Sequence, residues 1–523
     1  STGNKCEDMI DMLFNKKRSN DRKLWLSTYD RSRFMDTNND NVSYSDFINR
    51  EMIHFSKYDC DRSIPNLIDG LKISQRKVLY AAFKRRLTTE IKVAQFSGYV
   101  SEHSAYHHGE QSLNGTIVNL AQNFVGSNNI NIFDPLGQFG TRLQGGSDSA
   151  SERYIFTKLN TITRYIYRSE DDDVMKYLMD DGMSVEPIWY APIIPMILVN
   201  GSMGIGTGFS TDIPPFSPED IIRYIKYKLE PDASIQPSIS MYYRGFIGKI
   251  DKTTDDKYII RGCYTVSGNV VHVTELPIGM WTDNYKEHLE KLIQGDDKKK
   301  GSLVKEYIDM STDVVIDIKI TLHKDVVSEY SNKIDENNVN GLEKLLKLTT
   351  SKTITNMHAF DENERLVKYN TPEEMIDSYI PVRLGVYEKR KAAMLSNMKN
   401  ELVRLSNKAR FISGILDDTI DLRRKSSQQI YDLLAKMKYD IISNDFTYAY
   451  LVKMPMDSLT SENVDKLLRS KDNLQNEITK LEGRKCTDIW NDELDELLSK
   501  YRMFVDITPE KSQIKKKKIK TNS

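Results

Sequence analysis

The sequence lacks long hydrophobic runs, paired cysteines and a large net charge of either sign. No apolar stretch approaches the ~20 residues that a membrane-spanning helix needs, so we expect no association with a membrane. The four cysteines lie far apart without metal-ligand spacing, which favours reduced intracellular thiols over a zinc site or a disulfide framework. The formal net charge of -1 gives no overall sign of nucleic-acid binding. The 523 residues, of which 39% are hydrophobic and 28% charged, predict a soluble globular protein of three or four domains.

Positive charge is nevertheless concentrated in one short segment. Residues 71–92 contain seven lysines and arginines and only one acid, an excess that can hold phosphates and release counterions. Helical periodicity over 71–83 places the apolar residues in one arc, with Lys77 opposite this arc and Lys72 and Arg76 near its edge. This pattern would suit a helix lying against DNA, but a run of charges is usually a solvated helix face.

A glycine-rich polar loop leads to an adjacent arginine and tyrosine. The loop spans Gly137–Ser151, and the pair Arg153-Tyr154 follows one residue later. A free phenol has a pKa of about 10 and is a weak nucleophile at neutral pH, but a neighbouring guanidinium can stabilise charge on the phenolate and on an attacked phosphate. Taken alone, such a tyrosine is more often an ordinary half-buried packing residue. Its meaning therefore depends on the surrounding sequence.

Motifs around this pair keep the order and spacing of one protein family. These motifs are Ser63–Leu79, Tyr106–Leu113, Leu120–Asn129, Phe139–Arg142, Arg153–Phe156, Glu186–Pro195 and Asn200–Ser210. On them, the chain resembles the breakage-reunion region of type IIA DNA topoisomerases of the eukaryotic kind. The resemblance extends from about residue 10 to about residue 505, which is nearly the whole chain.

The resemblance implies an α+β multidomain fold. It consists of a winged-helix DNA-gate domain, a β-rich tower or shoulder domain, and a long antiparallel coiled coil ending in a small helical dimerisation (C-gate) domain. The expected domains are a linker at 1–45 following an absent TOPRIM domain, the winged-helix domain with the catalytic tyrosine at 46–200, the tower at 201–372, the coiled-coil arms at 373–416 and 460–505, the C-gate domain at 417–459 and a basic tail at 506–523. The residues themselves predict a short helix over Cys6–Asn15. They also predict β-branched strands at Ile247–Ile250, Tyr258–Ile260, Val270–Val273 and Val314–Ile320.

Two segments near the C-terminal end show helical heptad spacing. Apolar residues recur in steps of three and four over Leu395–Leu416 and over Val464–Leu481, and Thr460 with Ser461 offers an N-cap for a helical segment over 460–503. This spacing predicts an antiparallel coiled coil whose ~25 helical residues would span about 37 Å. The intervening globe is a dimer interface by resemblance, whereas the residues alone are equally compatible with an intramolecular hairpin. The candidate interface residues are Ile420, Ile430, Leu433, Leu434, Ile441 and Ile442.

The resemblance also assigns roles to individual residues. In each half of a dimer, Tyr154 is expected to attack one DNA strand and form a 5′-phosphotyrosine, with Arg153 stabilising the transition state and His108 hydrogen-bonding near the scissile phosphate. A second duplex then passes through the double-strand break before the strands are resealed. Ile205 is expected to wedge between base pairs and bend the DNA, since its flanking glycines disfavour the alternative of a core isoleucine. The residues expected near the DNA backbone are Arg62, Lys72, Arg76, Tyr106 and Ser112.

Nothing in the sequence predicts a metal site. The acids at 171–173 and 180–181 are contiguous, so their side chains diverge, and the adjacent His107 and His108 lack ligand spacing. By resemblance, the parent enzyme requires Mg²⁺ and ATP, both bound by domains absent here, so we expect this fragment alone to be inactive. The opening residues 1–5 resemble neither a signal peptide nor a natural initiator, which favours an internal cut. The expected partners are double-stranded DNA and a second copy of the chain.

Two other functional classes stay open. A non-catalytic DNA-bending or architectural protein would use the same basic helix and Ile205 but has no use for Arg153-Tyr154. A type IB enzyme or tyrosine recombinase would need further basic residues around the tyrosine, and the motif order and coiled coil disfavour it. Three departures from the family pattern put drug sensitivity and local DNA contacts in doubt, namely Ser147, Glu152 and Met203.

Composition also bears on the source of the chain. Its many Asn, Lys and Tyr residues, and the absence of the long charged tail of cellular relatives, favour a large DNA virus, with African swine fever virus as the specific prediction. An intracellular location follows, in the host cytoplasm for a viral protein and otherwise in the nucleus. The basic run at 515–520 is compatible with a disordered arm, a nuclear signal or a solubilising end.

Overall fold

The chain divides into two compact units, which are described separately. The computed structural model describes residues 3–30, 32–35, 41–230, 235–295, 302–442, 447–455 and 460–507. The first unit contains 1–169, 175–383 and 493–523, and the second contains 170–174 and 384–492. Across the described residues, no helix combines the length and the apolar character that crossing a membrane requires.

The helices of the first unit are mostly short and precede or flank small sheets. They are α1 Gly3–Phe14, α2 Ser19–Ser27, α3 Tyr44–Phe47, α4 Ile53–Ser63, α5 Ile73–Arg85, α6 Val93–Ser104, α7 Glu110–Ala121, α8 Thr163–Ile166, α9 Met196–Asn200, α10 Pro218–Leu229, α11 Thr282–Gln294, α12 Val326–Ser331 and α13 Gly341–Leu345. One turn of π-helix, Ile48–Met52, joins α3 to α4. The long helix α14, Pro372–Leu416, begins in this unit and continues into the second.

The strands form small sheets that are antiparallel throughout the described residues. They are β1 Ile91–Lys92, β2 Phe156–Thr157, β3 Tyr177–Asp180, β4 Met183–Pro187, β5 Ser202–Ile205, β6 Ser210–Ile213, β7 Lys249–Thr254, β8 Lys257–Arg261, β9 Cys263–Ser267, β10 Val270–Glu275, β11 Val304–Asp309, β12 Ile318–Leu322, β13 Thr349–Thr353, β14 Met357–Phe360 and β15 Leu366–Tyr369. The larger sheets have the orders β11-β12-β10-β9 and β13-β8-β7, and the remaining strands pair as β1-β2, β3-β4, β5-β6 and β14-β15.

The N-terminal segment is folded rather than an open linker. The predicted helix over Cys6–Asn15 corresponds to α1, but a second helix, α2, follows it. Trp25 and Leu26 of α2 are buried with Met12 of α1 and Ile53 of α4 in one apolar cluster. The prediction of a linker over 1–45 is therefore wrong for these helices, because their amphipathic faces pack on the rest of the first unit.

Helices α5, α6 and α7 form the core on which the candidate site is built. α5 packs against α6, α7 and strand β4. The buried faces include Val78 and Leu79 on α5, Phe96 on α6 and Ile117 on α7, each with 0% exposure. Burying an aliphatic or aromatic side chain of this size contributes about 1.5–3 kcal/mol, so this cluster fixes the three helices relative to one another.

The four-stranded sheet has one face covered by helices. Alternate residues Val271, Val273, Ile318 and Ile320 are 0% exposed and pack with Tyr285 of α11 in one cluster. The predicted strands over Tyr258–Ile260 and Val270–Val273 are present as β8 and β10. The strands predicted at Ile247–Ile250 and Val314–Ile320 begin later, as β7 and β12.

The second unit is helical throughout its described residues. It contains most of α14, followed by α15 Ser427–Lys436, α16 Ala449–Val452, α17 Ser461–Gly483 and the start of α18 Cys486–Ile507. α14 and α17 run antiparallel, since Lys399 of α14 pairs with Glu482 near the end of α17 at 2.7 Å, while Leu416 and Val464 share one cleft at their other ends. This arrangement agrees with the predicted pair of arms.

One detail of the second unit differs from the predictions. The single helical segment predicted over 460–503 is broken between α17 and α18, because Arg484 has an extended backbone with ψ 135°. Thr460 caps α17 as predicted, accepting a hydrogen bond from the Asn463 amide at 3.3 Å. Three of the candidate interface residues, Ile420, Ile430 and Leu434, are buried in the core of the small domain itself. Ile441 is 48% exposed and remains available to a partner.

Candidate functional site

Tyr154 occupies a turn immediately before strand β2. Its amide donates to the carbonyl of Ser151 at 2.9 Å, and the next residue, Ile155, is 1% exposed. The Ile155 carbonyl accepts from the amide of Val93 at 3.0 Å, which ties this turn to the start of α6. The Tyr154 side chain is nevertheless 74% exposed. An anchored backbone thus presents an accessible phenol.

The loop before Tyr154 is closed by its own hydrogen bonds. Asp148 accepts from the amide and the hydroxyl of Thr141, the former at 2.8 Å. Gln122, the residue that ends α7, donates to the Gly146 carbonyl at 3.2 Å. Gly140 has φ +96°, and a Cβ there would lie 2.5 Å from the backbone of Gly146. The glycines therefore permit a tight fold that fixes the approach to the tyrosine.

Arg153 is exposed beside Tyr154. Neither side chain forms a hydrogen bond or an ion pair with another residue in the described part of the chain. A guanidinium and a phenol with no protein partner are both available to a ligand, and an anion is the ligand that a guanidinium binds best. The catalytic role predicted for this pair from the sequence stays a prediction.

His108 lies within a small aromatic cluster. Its Nε2 shares a hydrogen bond with the hydroxyl of Tyr58 on α4, and the ring of Tyr106 meets it edge-on with centroids 5.3 Å apart. Burial lowers the pKa of His108, and the cations Arg62, His107 and Lys77 lower this pKa further. The imidazole is therefore mainly neutral at pH 7, free of the charge that a bound phosphate would favour.

Tyr106 of this cluster was predicted from the sequence as a DNA contact, whereas Tyr58 was not predicted. Tyr106 is only 6% exposed, and its hydroxyl has no partner among the described residues, so it supports His108 rather than reaching a DNA backbone in this structure. Tyr58 lies four residues before Arg62, and helical spacing alone would have placed both side chains on one face of α4.

Arg76 is a structural residue rather than a surface cation. It is 7% exposed, and its guanidinium donates to both carboxylate oxygens of Asp69, at 2.6 and 3.0 Å, and to the Leu71 carbonyl at 2.9 Å. Lys77 likewise pairs with Glu186 of β4 at 2.8 Å. The predicted DNA contact by Arg76 is corrected accordingly, because an isolated helical pattern does not reveal that the loop before α5 and strand β4 cover these cations.

The other predicted contact residues keep exposed or partly exposed positions. Arg62 is exposed at the end of α4, and Ser112 is exposed in the first turn of α7. Lys72 donates to the Met203 carbonyl at 2.7 Å, and burial lowers the pKa of its ammonium. Lys72 therefore joins the start of α5 to the hairpin that carries Ile205.

Ile205 projects from the tip of the β5-β6 hairpin. Its side chain is 82% exposed, which excludes the alternative of a core isoleucine. Asp59 of α4 holds the tip by accepting from the amide and hydroxyl of Thr207 at 2.8 and 3.0 Å. A Cβ at Gly204 would lie 1.8 Å from the Ser63 carbonyl, so glycine is required for the hairpin to approach α4. The exposed side chain thus stands on a braced support.

Replacing Ile205 with alanine is expected to reduce the bend in bound DNA by roughly half or more, because unstacking a base step needs a bulky apolar wedge. The free energy of unfolding should hardly change, since the side chain is exposed. The bend is measured by energy transfer between dyes at the ends of a short duplex. Ile235→Ala is the matched control, because Ile235 is 80% exposed outside the hairpin. Wild-type bending by Ile205→Ala would contradict the wedge.

Potential metal ligands are dispersed in this structure. Within the described ranges, no group of three or more His, Cys, Asp or Glu side chains is gathered as it would be around a metal ion. Asp180 lies 3.8 Å from His107, and no further acid joins them in a described cluster. All four cysteines are free.

Comparison with known proteins gives matches over nearly the whole chain. A family profile described as the A subunit of DNA gyrase/topoisomerase IV matches residues 62–495. A second profile, described as the C-terminal associated domain of TOPRIM, matches residues 1–60, which include the predicted linker over 1–45 and the first residues of the predicted winged-helix domain.

The most similar relatives include two proteins that are each 40% identical to this chain. DNA topoisomerase 2 of Plasmodium falciparum matches 94% of the chain, and the mitochondrial DNA topoisomerase 2 of Dictyostelium discoideum matches 100%. The chain spans only 37% and 40% of their respective lengths. A crystal structure of the Plasmodium falciparum topoisomerase II DNA-binding, cleavage and re-ligation domain matches 96% of the chain and 70% of its own, with a TM-score of 0.85 and 39% identity.

Proposed function

Because the chain belongs to the type IIA DNA topoisomerase family that includes the A subunit of DNA gyrase/topoisomerase IV, we propose that it is the part of a type II DNA topoisomerase that binds, cleaves and reseals double-stranded DNA. The observation that carries this proposal is the exposed pair Arg153-Tyr154 on an anchored turn inside the matched region. A binding module has no need of an accessible phenol beside an unpaired guanidinium.

The proposed reaction exchanges one phosphodiester for another. The phenolic oxygen of Tyr154 attacks a backbone phosphorus and gives its proton to solvent or a nearby base. The bond from phosphorus to the 3′ oxygen breaks, and the departing 3′ oxygen takes up a proton from solvent. The strand is left with a free 3′-hydroxyl and a 5′-phosphotyrosine. Arg153 lowers the barrier by placing positive charge beside the pentacoordinate phosphorus. Resealing is the reverse attack by the 3′-hydroxyl, so no bond energy is lost while a second duplex passes.

The surroundings of the pair support double-stranded DNA as the substrate. Arg62 and Ser112 supply exposed donors for backbone phosphates, which position a duplex without reading its sequence. Ile205 supplies an apolar wedge on a braced hairpin. The predicted roles of these residues, and of His108 near the scissile phosphate, are part of the proposal.

We further propose that Mg²⁺ and ATP are required by the parent protein and are bound outside this chain. The chain spans 37–40% of the length of the curated relatives, and its first 60 residues match a domain associated with the C-terminal side of TOPRIM. When bound, Mg²⁺ would supply charge stabilisation at the phosphate. The residues of this chain would hold the DNA and provide the nucleophile.

Comparing the full-length protein with residues 1–523 tests this proposal. With Mg²⁺ and ATP, the full-length protein should relax supercoiled DNA, and residues 1–523 alone should bind DNA without cleaving it. Mg²⁺-dependent cleavage by the isolated chain would overturn the proposal that Mg²⁺ is bound outside residues 1–523. The absence of any relaxation by the full-length protein would favour the second candidate, a DNA-bending architectural protein, which the exposed Ile205 also supports.

The finer domain assignments, winged helix, tower, coiled-coil arms and C-gate, are proposed on the same resemblance. So is the viral source, with location in the host cytoplasm, while a nuclear location remains the proposal for a cellular source. The two relatives named above come from cellular organisms, and the genes flanking the parent gene would decide between the two sources.

We also propose that the chain is a homodimer held mainly by residues 417–459, since two strand breaks need two copies of Tyr154. Deleting 417–459 and joining α14 to α17 through a short glycine-rich turn should give monomers by light scattering at micromolar concentration. Ile441→Glu should weaken the dimer without unfolding the chain, because Ile441 is 48% exposed. Ile334→Glu is the matched control, as Ile334 is 65% exposed on the first unit. A deletion variant that stays fully dimeric would place the main interface elsewhere.

A further inference from the structure

Two tyrosines contact the imidazole that the proposed function places near the scissile phosphate, and an arginine lies over one of them. Tyr58 shares a hydrogen bond with Nε2 of His108, and the two ring centroids are 5.9 Å apart. Tyr106 closes another side at 5.3 Å, with the rings at 83°. The guanidinium of Arg62 lies 5.8 Å above the ring of Tyr58, one helical turn away on α4. The hydrogen bond to His108 and the cation–π contact with Arg62 therefore both hold the Tyr58 side chain in one orientation.

We propose that Tyr58 is a positioning residue for DNA cleavage, acting through His108. This inference rests on the proposed function. With Nε2 occupied by the Tyr58 hydroxyl, Nδ1 is the ring nitrogen left for a phosphate oxygen. A histidine ring that must place one nitrogen on a ligand is commonly fixed by a hydrogen bond to the other, which sets both its orientation and its proton.

The hydroxyl of tyrosine suits this task in both charge states of His108. A hydroxyl both donates and accepts, so it can pair with Nε2 whether that nitrogen carries a proton or not. Phenylalanine keeps the ring contact and loses the pairing. The fixed orientation of His108 thus survives the gain of a proton, which a bound phosphate favours.

The charges around His108 define the expected pH dependence. Arg62 faces it from α4 and Lys77 from α5, and His107 precedes it in the same loop. Asp180 of β3 lies 3.8 Å from His107, and Glu186 of β4 pairs with Lys77. Burial and the positive charges of Arg62 and Lys77 lower the pKa of His108 in the free protein and favour its neutral form. A DNA phosphate reverses this balance, so His108 takes up a proton when DNA binds.

Once protonated, His108 donates from both nitrogens, to the phosphate and to the hydroxyl of Tyr58. A hydrogen bond from a charged donor is stronger than one from a neutral ring. Losing the Tyr58 hydroxyl therefore destabilises the cation more than the neutral form and lowers the pKa of His108. Cleavage that depends on the cation is lost as pH rises through this pKa, so the variant should lose activity at a lower pH than the wild type.

The first test uses the full-length protein with Mg²⁺ under single-turnover conditions. Tyr58→Phe should slow cleavage roughly 3- to 10-fold, the scale of one hydrogen bond, with DNA affinity unchanged within about twofold. Its loss of activity at high pH should begin at a lower pH. Tyr29→Phe is the matched control, because the Tyr29 hydroxyl is 3.3 Å from Nδ1 of His54, a similar pair that does not involve His108.

A double-mutant cycle separates positioning from packing. In a His108→Ala background, Tyr58→Phe should have almost no further effect on cleavage, because its partner is gone. A full Tyr58→Phe penalty in that background would overturn the proposal and leave Tyr58 with a packing role. An unchanged pH profile in the single variant would also overturn it.

The second test needs no cleavage. In residues 1–523 carrying isotope-labelled histidine, the ring signals of His108 are identified by their disappearance in His108→Ala. Tyr58→Phe should change the balance of the two neutral tautomers and move the titration midpoint of His108 to lower pH. Unchanged ring shifts would overturn the proposal even if the protein cleaves DNA. Altered ring shifts without cleavage by the full-length protein would instead locate the failure in the proposed function.

Discussion

Replacing Tyr154 with phenylalanine is expected to abolish DNA cleavage and relaxation by the full-length protein, while DNA affinity stays within about twofold of the wild type. Only the phenolic oxygen can form the covalent link, whereas binding rests on many separate phosphate contacts. Folding should be unaffected, because the side chain is 74% exposed and its hydroxyl bonds to no described residue. Cleavage is measured as protein trapped on labelled DNA with detergent.

Tyr44→Phe is the matched control for this variant. Tyr44 is also largely exposed, at 65%, but lies on α3 outside the candidate site, so its loss should leave trapping at the wild-type level. Covalent complex retained by Tyr154→Phe would show that another residue is the nucleophile. Loss of DNA binding together with cleavage would instead point to a positioning role for Tyr154.

Arg153→Ala is expected to lower the single-turnover rate of cleavage by about two to three powers of ten, the scale for losing one preorganised charge at a transition state. Arg153 is exposed and makes no ion pair with a described residue, so the loss should fall on catalysis rather than on stability. Arg153→Lys should recover only part of the rate, because an ammonium keeps the charge but not the planar pair of donors.

The control for Arg153 is a second partly exposed arginine. Arg404 lies on α14 in the second unit, where it pairs with Glu401 at 3.6 Å, and Arg404→Ala should cleave like the wild type. An unchanged cleavage rate for Arg153→Ala would remove this residue from the mechanism. Equal losses in both variants would indicate a general effect of positive charge on DNA affinity.

Glycines near a residue in the sequence were useful for finding two parts of the candidate site, Arg153-Tyr154 and Ile205. The flanking glycines disfavoured a core position for Ile205, and its side chain is exposed. Arg153-Tyr154 was assigned to catalysis, and both of its side chains are exposed. The wedge and catalytic roles themselves stay predictions. Glycine positions are informative here because a Cβ at Gly140 or Gly204 would collide with backbone, so the residue type follows directly from the close approach.

Local sequence patterns could not predict contacts between residues that are far apart in the chain. Arg76 was assigned to DNA by resemblance, and its place near the edge of a helical arc was compatible with that role, but Asp69 and the Leu71 carbonyl enclose its guanidinium. Tyr58 and His108 are 50 residues apart in the chain and meet only in the folded first unit. Helical periodicity gives the direction of a side chain, not the neighbour that covers it.

The same reasoning explains the errors in the fold. β9 and β11 were missed because their residues, Cys263–Ser267 and Val304–Asp309, are polar or charged at many positions and gain their order from pairing with β10 and β12. Heptad spacing predicted long helices in this region but not the break at Arg484. Apolar spacing reports which face of a helix is buried, and it carries no signal for a single extended residue between two helices.

On the proposed mechanism, Tyr154 carries the DNA between cleavage and resealing. The most direct test is to trap the full-length protein on duplex DNA, digest both the DNA and the protein, and sequence the nucleotide-linked peptide by tandem mass spectrometry. We expect a nucleotide joined through its 5′ phosphate to Tyr154, within the peptide that contains Arg153. A nucleotide on any other residue, a link through a 3′ phosphate, or no linked peptide from a cleaving enzyme would contradict it.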